Sequence, residues 1–397
     1  MHYRILFQVT VFVTLSLSIL TPPTIFAHMD FMSRDIRTVL ALTALFLIFL
    51  NYKRPSMTLF EWYVVFLVLM YYVVEIVEKK SSINNVLSFY IVIIISIFLY
   101  HILNQDNHSK YIYLNIWIYL GYFLSISVIM VFIIHQFTQF DTDYLNLEAL
   151  MDYSNRNYRF SFFGVSQAKD YKYFSIARSS GFFPESQYAA FYFMINIMIG
   201  RFHYVRERYK KWSILNLFAG ILTFSTMFYI TIICYYSLVY ISKINLNYRN
   251  LSLAFGFMIT LLFISLNYNR TMNILMDILS YTSYSDRMNR ITNSLNIISN
   301  SSSVDLFFGH GVSYTGGADR GLSIGLFHLL VERGLIGLLM VLSIMINFIQ
   351  GNRIVYFIFV LYLMAFTWYV NYIYWFGLLA LWSATEADEC RYISLAP

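Results

Sequence analysis

Apolar runs long enough to cross a lipid bilayer follow one another along most of this chain. A transmembrane helix needs about 20 mainly apolar residues, because lipid offers no partner for backbone N–H and C=O groups. Such runs predict five spans before the first long polar segment, at residues 5–25, 36–50, 57–77, 83–103 and 111–134. Seven more follow, at residues 186–202, 212–241 as two helices, 251–266, 322–349, 354–367 and 370–382. The pattern predicts an all-α polytopic integral membrane protein with about twelve transmembrane helices, forming a single membrane domain over residues 1–397.

Two of these runs leave a choice of interpretation. Residues 212–241 are too long for one ordinary span at ~1.5 Å per residue, and Ser225-Thr226 near the middle permits two short helices joined by a tight turn. The first run ends close to Ala27, so a cleaved signal peptide over residues 1–27 is the alternative to a retained helix. The bulky Ile25, three positions before that cleavage point, favours a retained helix.

Two long polar segments interrupt the apolar pattern, at residues 135–185 and 267–320. The first interleaves charged residues with many tyrosines and phenylalanines, which favours a folded loop over a disordered one. The second is rich in Asn, Ser and Thr, and its apolar residues recur at three- and four-residue spacing. This spacing is typical of amphipathic helices on a membrane surface, and the residues concerned are Met272, Leu275, Met276, Leu279, Met288, Ile291, Leu295 and Ile298.

Composition and charge fix the class of protein and its orientation. The chain is 59% hydrophobic and 12% charged, whereas a soluble globule is about 45–50% apolar. The net charge of +6 comes from Lys and Arg in short turns, which gives no tract for nucleic acid. The positive-inside rule then places both termini in the cytoplasm and both long segments outside. The cytoplasmic positions are Lys53, Arg54, Lys110, residues 201–211, Lys243, Arg249 and Arg353, with Lys79-Lys80 as the exception; the acidic tail at residues 386–389 is predicted to be solvated and cytoplasmic.

The first polar segment ends in a concentration of reactive groups, Arg178-Ser-Ser-Gly-Phe-Phe-Pro-Glu185. A cation, a flexible turn and a carboxylate meet there at the water–lipid boundary. The helices carry few ionisable residues, which favours chemistry at the outer face over a path through the bilayer. Cys234 and Cys390, the two cysteines, have no metal-site spacing, and no His, Asp or Cys cluster does, so neither a metal nor a cofactor is predicted.

Three sequence pieces together resemble a known family. They are Arg178-Ser-Ser-Gly-Phe-Phe-Pro-Glu185, then Ser285-Asp-Arg-Met-Asn-Arg290 leading to Phe308-Gly-His-Gly311, and His328-Leu-Leu-Val-Glu-Arg-Gly-Leu-Ile-Gly337. Their order and their placement in outward loops are similar to the bacterial oligosaccharide repeat-unit polymerases of the Wzy type, within the O-antigen ligase and polymerase superfamily. The resemblance implies a GT-C-like membrane enzyme of O-antigen, capsule or exopolysaccharide synthesis in the bacterial inner membrane. A chain-length regulator and a flippase are the partners it implies.

The reaction implied by the resemblance transfers a glycan from undecaprenyl pyrophosphate onto a second lipid-linked repeat unit. Guanidinium forks bind phosphate oxygens in a bidentate way, so the predicted pyrophosphate ligands are Arg178, Arg287 and Arg290. The acceptor hydroxyl needs a general base, for which Glu185, Asp286 and His310 compete, with Glu185 placed first. Gly181, Gly309 and Gly311 are predicted to form tight turns that need positive φ.

Other functions and simpler structural roles stay open at this point. The ligases of the superfamily carry a His-Asn pair that would fall on Ser323 and Ile324, so its absence disfavours an O-antigen ligase. A flippase or exporter of lipid-linked oligosaccharides is the other alternative, and it predicts cationic residues lining the helices. The structural roles are an interfacial anchor for Arg178, lipid phosphate contacts for Arg287 and Arg290, a plain loop residue for His310 and a pairing of Glu332 with Arg333.

Overall fold

The structure, a computed structural model, is mostly helical. It describes residues 2–20, 34–51, 83–105, 107–137, 158–161, 163–171, 174–183, 185–242, 281–311, 325–349, 353–365 and 372–395, with single positions between 62 and 73. The helices before the first long segment are α1 His2–Leu20, α2 Arg34–Asn51, α3 Ile83–Gln105 and α4 Asn107–Phe137. The strands are β1 Tyr158–Ser161, β2 Gly164–Tyr171 and β3 Phe174–Gly181. The helices that follow are α5 Ser186–Ile199, α6 His203–Arg208, α7 Lys210–Leu222, α8 Thr226–Ser242, α9 Tyr281–Ser299, α10 Ser303–Phe308, α11 Gly325–Ile349, α12 Arg353–Ala365 and α13 Tyr372–Leu395.

Helices occupy the predicted positions of ten of the twelve spans. Two of them, Asn107–Phe137 and Gly325–Ile346, are long and apolar enough to cross a membrane, and several other described helices are shorter apolar ones. The predicted span at 251–266, and that at 57–77 apart from single positions, lie outside the described residues, as does the predicted amphipathic stretch 272–279. The total of twelve spans therefore stays a prediction.

The long apolar stretch at residues 212–241 is divided into two helices, as predicted. Helix α7 ends at Leu222 and α8 begins at Thr226. Between them Phe224 adopts a positive φ of 45° and stacks on Phe132 of α4, with 6.0 Å between ring centroids. The turn is thus packed against the C-terminal part of α4.

Helices α5 and α13 form the centre of the bundle. The α5 residues from Ala189 to Ile199 are all buried, and so are the α13 residues from Tyr372 to Ala384. Both buried stretches are mainly apolar on every face, which is typical of helices surrounded by protein. Helix α13 packs against α1, α3, α4, α5, α6 and α11, and α1 also packs on α2 and α4.

One end of the bundle is joined by an ion pair that the sequence analysis did not predict. Lys110, at the start of α4, lies 3.0 Å from the Glu386 carboxylate and 4.7 Å from the centroid of a Trp382 ring. Helix α13 runs through to Leu395, well beyond the predicted end of the last span at residue 382. Glu386 is therefore paired within the bundle and only partly exposed. The predicted solvation of residues 387–389 stays a prediction.

A buried polar network fixes α4, α5 and α7 to one another. The Trp117 indole N–H donates to Asn196 Oδ1 at 2.9 Å, and Asn196 Nδ2 donates to Asn216 Oδ1 at 2.7 Å. Ser125 Oγ donates to the same oxygen at 3.2 Å, and Asn216 Nδ2 donates to the Trp212 carbonyl at 2.7 Å. Since an unsatisfied polar group in an apolar interior costs several kcal/mol, these bonds hold the three helices in one register.

The first long segment contains a three-stranded antiparallel sheet of order β1-β2-β3. The sheet packs on the last turns of α4, where Ser179 Oγ donates to the Val128 carbonyl at 2.6 Å and Gln136 accepts the Ala177 N–H at 3.0 Å. At ~1.5 Å per residue the 31 residues of α4 extend over ~46 Å, more than a bilayer requires. The surplus turns carry the sheet, and an all-α description omits it.

Candidate functional site

Arg178 lies on β3, the strand that rests on α4. Strand alternation directs Ala177 and Ser179 toward α4, where both are buried, and Arg178 to the other face. In the register of the sheet Arg178 stands opposite Gln167. The strand therefore holds the Arg178 backbone rigidly and leaves its side chain half-buried.

Gly181 ends β3 and allows the chain to turn into α5. Its φ is +58°, and a Cβ at this position would lie 2.5 Å from Ser127 Oγ and 2.9 Å from Val128 Cγ2. The Phe183 N–H then donates to the Ser180 carbonyl at 3.1 Å. The predicted turn at Gly181 thus has a positive φ, and it also serves close contact between the strand end and α4.

The start of α5 collects Arg178 with three consecutive polar residues. Arg178 Nη2 donates to Ser186 Oγ at 2.7 Å, and Ser186 is buried as the first residue of the helix. Glu185 precedes the helix with extended backbone, and its carboxylate accepts a hydrogen bond from Gln187 Nε2. We call Arg178, Glu185, Ser186 and Gln187 the α5 cluster. The hydrogen bond to Ser186 orients the guanidinium toward the start of α5.

A second group forms where α11 is broken. Gly334 has φ 65° and ψ −171°, a conformation open essentially to glycine alone. The His310 N–H donates to the Val331 carbonyl at 2.8 Å, and the Gly311 N–H donates to the Glu332 carbonyl at 3.0 Å. We call this backbone contact between residues 309–311 and residues 331–334 the glycine clasp.

The clasp requires glycine on both of its sides. A Cβ on Gly309, which has φ 79°, would lie 2.2 Å from the Glu332 carbonyl oxygen. A Cβ on Gly334 would lie 2.3 Å from the Phe307 carbonyl oxygen. Gly311 also has a positive φ, of 92°. Gly309 and Gly311, which were predicted to form turns, thus contact the third sequence piece, residues 328–337, directly.

The side chains beside the clasp are titratable and largely enclosed. His310 Nε2 is 2.8 Å from Ser301 Oγ, and His310 Nδ1 is 4.0 Å from Asp305 Oδ1. Both ring nitrogens of His310 thus face protein groups, an arrangement that favours a role in holding the loop over one as a general base. Glu332 lies 3.6 Å from His328 one turn before it, and Arg333 is 1% exposed.

Apart from Gly181, which ends β3, the predicted site residues fall into these two groups and helix α9. The α5 cluster holds Arg178 and Glu185, and the clasp holds Gly309, His310 and Gly311. Asp286, Arg287 and Arg290 lie on α9, and α9 packs against α11. The apolar residues 288–298 lie on the same helix, so the predicted helix is confirmed there.

Sequence reasoning missed four side chains of these groups. They are Ser186, Gln187, Ser301 and Asp305. A signal existed for Asp305: Ser302 Oγ accepts the Asp305 N–H at 3.1 Å, and Ser-x-x-Asp at a helix start is a capping pattern. Ser186 carried no such signal, because its partner is reached only through the turn at Gly181.

Neither a metal site nor a known relative indicates what this arrangement does. Within the part of the chain that the structure describes, no group of three His, Cys, Asp or Glu residues could hold a metal ion. No family model, curated protein or solved structure matches the chain. Its function is therefore proposed from its own residues.

Proposed function

We propose that this protein is a membrane glycosyltransferase of the polymerase type, located in the bacterial inner membrane. It transfers a growing glycan from undecaprenyl pyrophosphate onto a new lipid-linked repeat unit at the outer face. The observation that carries this proposal is the α5 cluster, in which Ser186, the residue that follows Glu185, binds the Arg178 guanidinium where a polar sheet meets an apolar helix.

Arg178 serves the departure of the lipid pyrophosphate. In the transfer, the bond between the donor's anomeric carbon and a pyrophosphate oxygen breaks, and the electron pair leaves with the pyrophosphate. A guanidinium fixed in advance by β3 and Ser186 stabilises the developing negative charge without reorganising during the reaction. Arg287 and Arg290 of α9 supply further positive charge for the same leaving group.

Glu185 serves the acceptor sugar. Its carboxylate takes the proton of the acceptor hydroxyl as that oxygen forms the new bond to the anomeric carbon. Gln187 fixes the carboxylate by donating to it, and the extended backbone before α5 keeps it at the mouth of the helix. His310 is the weaker candidate, since both of its ring nitrogens face Ser301 and Asp305.

The proposed orientation places both termini in the cytoplasm and both long loops outside. The Lys110–Glu386 ion pair supports this, because it joins the start of α4 and the end of α13 at one end of the bundle. The sheet lies at the other end of α4, near its C-terminus. A polar sheet and an ion pair at opposite ends of one 31-residue helix fit an outer and an inner side.

The test is the length distribution of surface polysaccharide in the producing cell. Arg178→Ala should collapse the ladder of chain lengths to a single repeat unit, and Arg178→Lys should shorten it, since lysine keeps the charge but loses the fork. Arg206→Ala, at an exposed arginine of α6, is the matched control and should leave the ladder unchanged. An unchanged ladder in Arg178→Ala, with the protein present in the membrane, would refute the proposal.

Purified protein separates this activity from transport. In detergent, with no ion gradient, the wild-type protein should join lipid-linked repeat units into longer chains and release undecaprenyl pyrophosphate. A flippase would give no product under these conditions. Transfer to a lipid A core acceptor in place of a second repeat unit would indicate a ligase.

A further inference from the structure

Helix α10, the six-residue segment before the clasp, exposes an unusual amount of apolar surface. Val304, Leu306 and Phe307 keep 40–49% of their surface exposed, although together they make up half of the helix. Single exposed apolar residues are common on protein surfaces, but three in one short helix form an exposed apolar patch.

The position of α10 along α11 indicates its depth in a membrane. The apolar run of α11 ends at Ile349, and Gln350, Asn352 and Arg353 follow it in the sequence. Gly334 lies fifteen residues before Ile349, which at ~1.5 Å per residue is ~22 Å. The hydrocarbon core is ~30 Å thick. If Ile349 marks one edge of this core, the break at Gly334 lies within the core, about 8 Å from the opposite edge. The clasp holds the end of α10 at that level.

A loop can lie at this depth only if its backbone groups are satisfied within the protein. Three successive N–H groups, one at the end of α10 and two in the clasp, meet this requirement. Gly309 donates to the Asp305 carbonyl at 2.7 Å, and His310 and Gly311 donate to the Val331 and Glu332 carbonyls at 2.8 and 3.0 Å. The backbone that follows α10 is thus suited to an apolar surrounding.

Helix α11 also exposes apolar residues directly after its break. Leu335, directly after the break, is 37% exposed, and Leu339, one turn further, is 55% exposed. Both belong to a helix that is long and apolar enough to cross a membrane. At the opposite end of α10, Ser302 and Ser303 are exposed and polar, as residues at the level of lipid headgroups would be.

We propose that α10 is a wedge inserted into the bilayer leaflet on the Gly325 side of α11, with Val304, Leu306 and Phe307 in contact with lipid acyl chains. The wedge anchors the second long loop in the membrane, next to the break in α11. This inference concerns the membrane position of the loop and does not depend on the proposed enzymatic activity.

The test is nitroxide scanning of the full chain in vesicles of phosphatidylcholine and phosphatidylglycerol. The native cysteines are first replaced as Cys234→Ser and Cys390→Ser. Single substitutions Val304→Cys and Phe307→Cys are then labelled, and collisions with oxygen, which concentrates in lipid, are compared with collisions with a water-soluble nickel chelate. Leu339→Cys is the reference for lipid, and Ser299→Cys, at an exposed polar position at the end of α9, is the reference for water.

The proposal predicts that labels at 304 and 307 collide preferentially with oxygen, as the label at 339 does. Preferential collision with nickel at 304 and 307, as at 299, would place α10 in water and overturn it. Suppressed collision with both reagents would mean that a protein surface covers α10, which overturns it equally. A nickel-accessible label at 339 would show that this part of α11 lies in water, which would also overturn the proposal.

Discussion

Replacing Gly334 by alanine should detach residues 309–311 from α11. The new Cβ would lie 2.3 Å from the Phe307 carbonyl oxygen and 2.5 Å from the Gly309 backbone nitrogen. Both atoms belong to the backbone, so neither can rotate away as the end of a side chain could. Relief is possible only if the loop withdraws or if Gly334 leaves its φ of 65°.

The magnitude follows from two separate losses. A non-glycine residue held in this region of φ and ψ costs about 1–3 kcal/mol. Withdrawal of the loop breaks the bonds from the His310 and Gly311 N–H groups to α11, each with a net value of about 0.5–1.5 kcal/mol. The clasp should therefore be weakened by about 2–6 kcal/mol, and even the lower limit corresponds to about thirtyfold in its opening equilibrium.

Hydrogen exchange measures this equilibrium directly. In detergent micelles, the His310 and Gly311 amides should lose at least about thirtyfold of their protection in Gly334→Ala, because exchange reports local opening. Gly337→Ala is the matched control: Gly337 lies within α11 one turn beyond the break, and alanine favours a helix. That variant should keep the protection of the wild-type protein.

Equal protection in Gly334→Ala and Gly337→Ala would refute the clasp as a constrained contact. A double variant, Gly309→Ala with Gly334→Ala, provides a second check. Both substitutions disrupt the same contact, so their effects should add to less than the sum of the single effects. Full additivity would mean that the two glycines act independently, contrary to the close backbone approach.

Two further predictions concern the α5 cluster and the ion pair. If Ser186 positions Arg178, Ser186→Ala should shorten the polysaccharide ladder while Ser186→Thr, which keeps a hydroxyl, restores it; equal ladders in both variants would contradict the positioning role. Glu386→Gln should destabilise the protein by about 3 kcal/mol, at the lower end of the cost of breaking a buried pair, because Lys110 is buried while Glu386 keeps some contact with solvent. Thermal unfolding in detergent measures this loss, and the double variant Lys110→Met with Glu386→Leu should recover most of it; no recovery would mean that the pair is not the cause.

Features set by residues close together in the chain were predictable. The division of residues 212–241 into two helices follows from their length and from polar residues near the middle, and the structure confirms it. The helical spacing of residues 288–298 likewise predicted α9. Positive φ at Gly309 and Gly311 follows from glycine's lack of a Cβ.

The sheet in the first long segment was not predictable in the same way. Its strands carry small and hydroxylated residues on the buried face, such as Ser166 and Ser179, so they lack the apolar alternation by which strands are recognised. What selects them is contact with α4, where His135 Nδ1 lies 2.5 Å from Ser166 Oγ and Ser127 Oγ donates to the Phe163 carbonyl at 2.8 Å. Strand preference depends strongly on such neighbours.

The sequence by itself determined the helical character of the chain, its apolar segments and the places where reactive residues gather, because these depend on composition and short-range spacing. Only the tertiary structure decided which of those residues meet. It joined Arg178 to Ser186 through a turn, docked residues 309–311 on the break in α11, and paired Lys110 with Glu386 across 276 positions. Such contacts depend on how buried helices fit against one another, which local spacing does not encode.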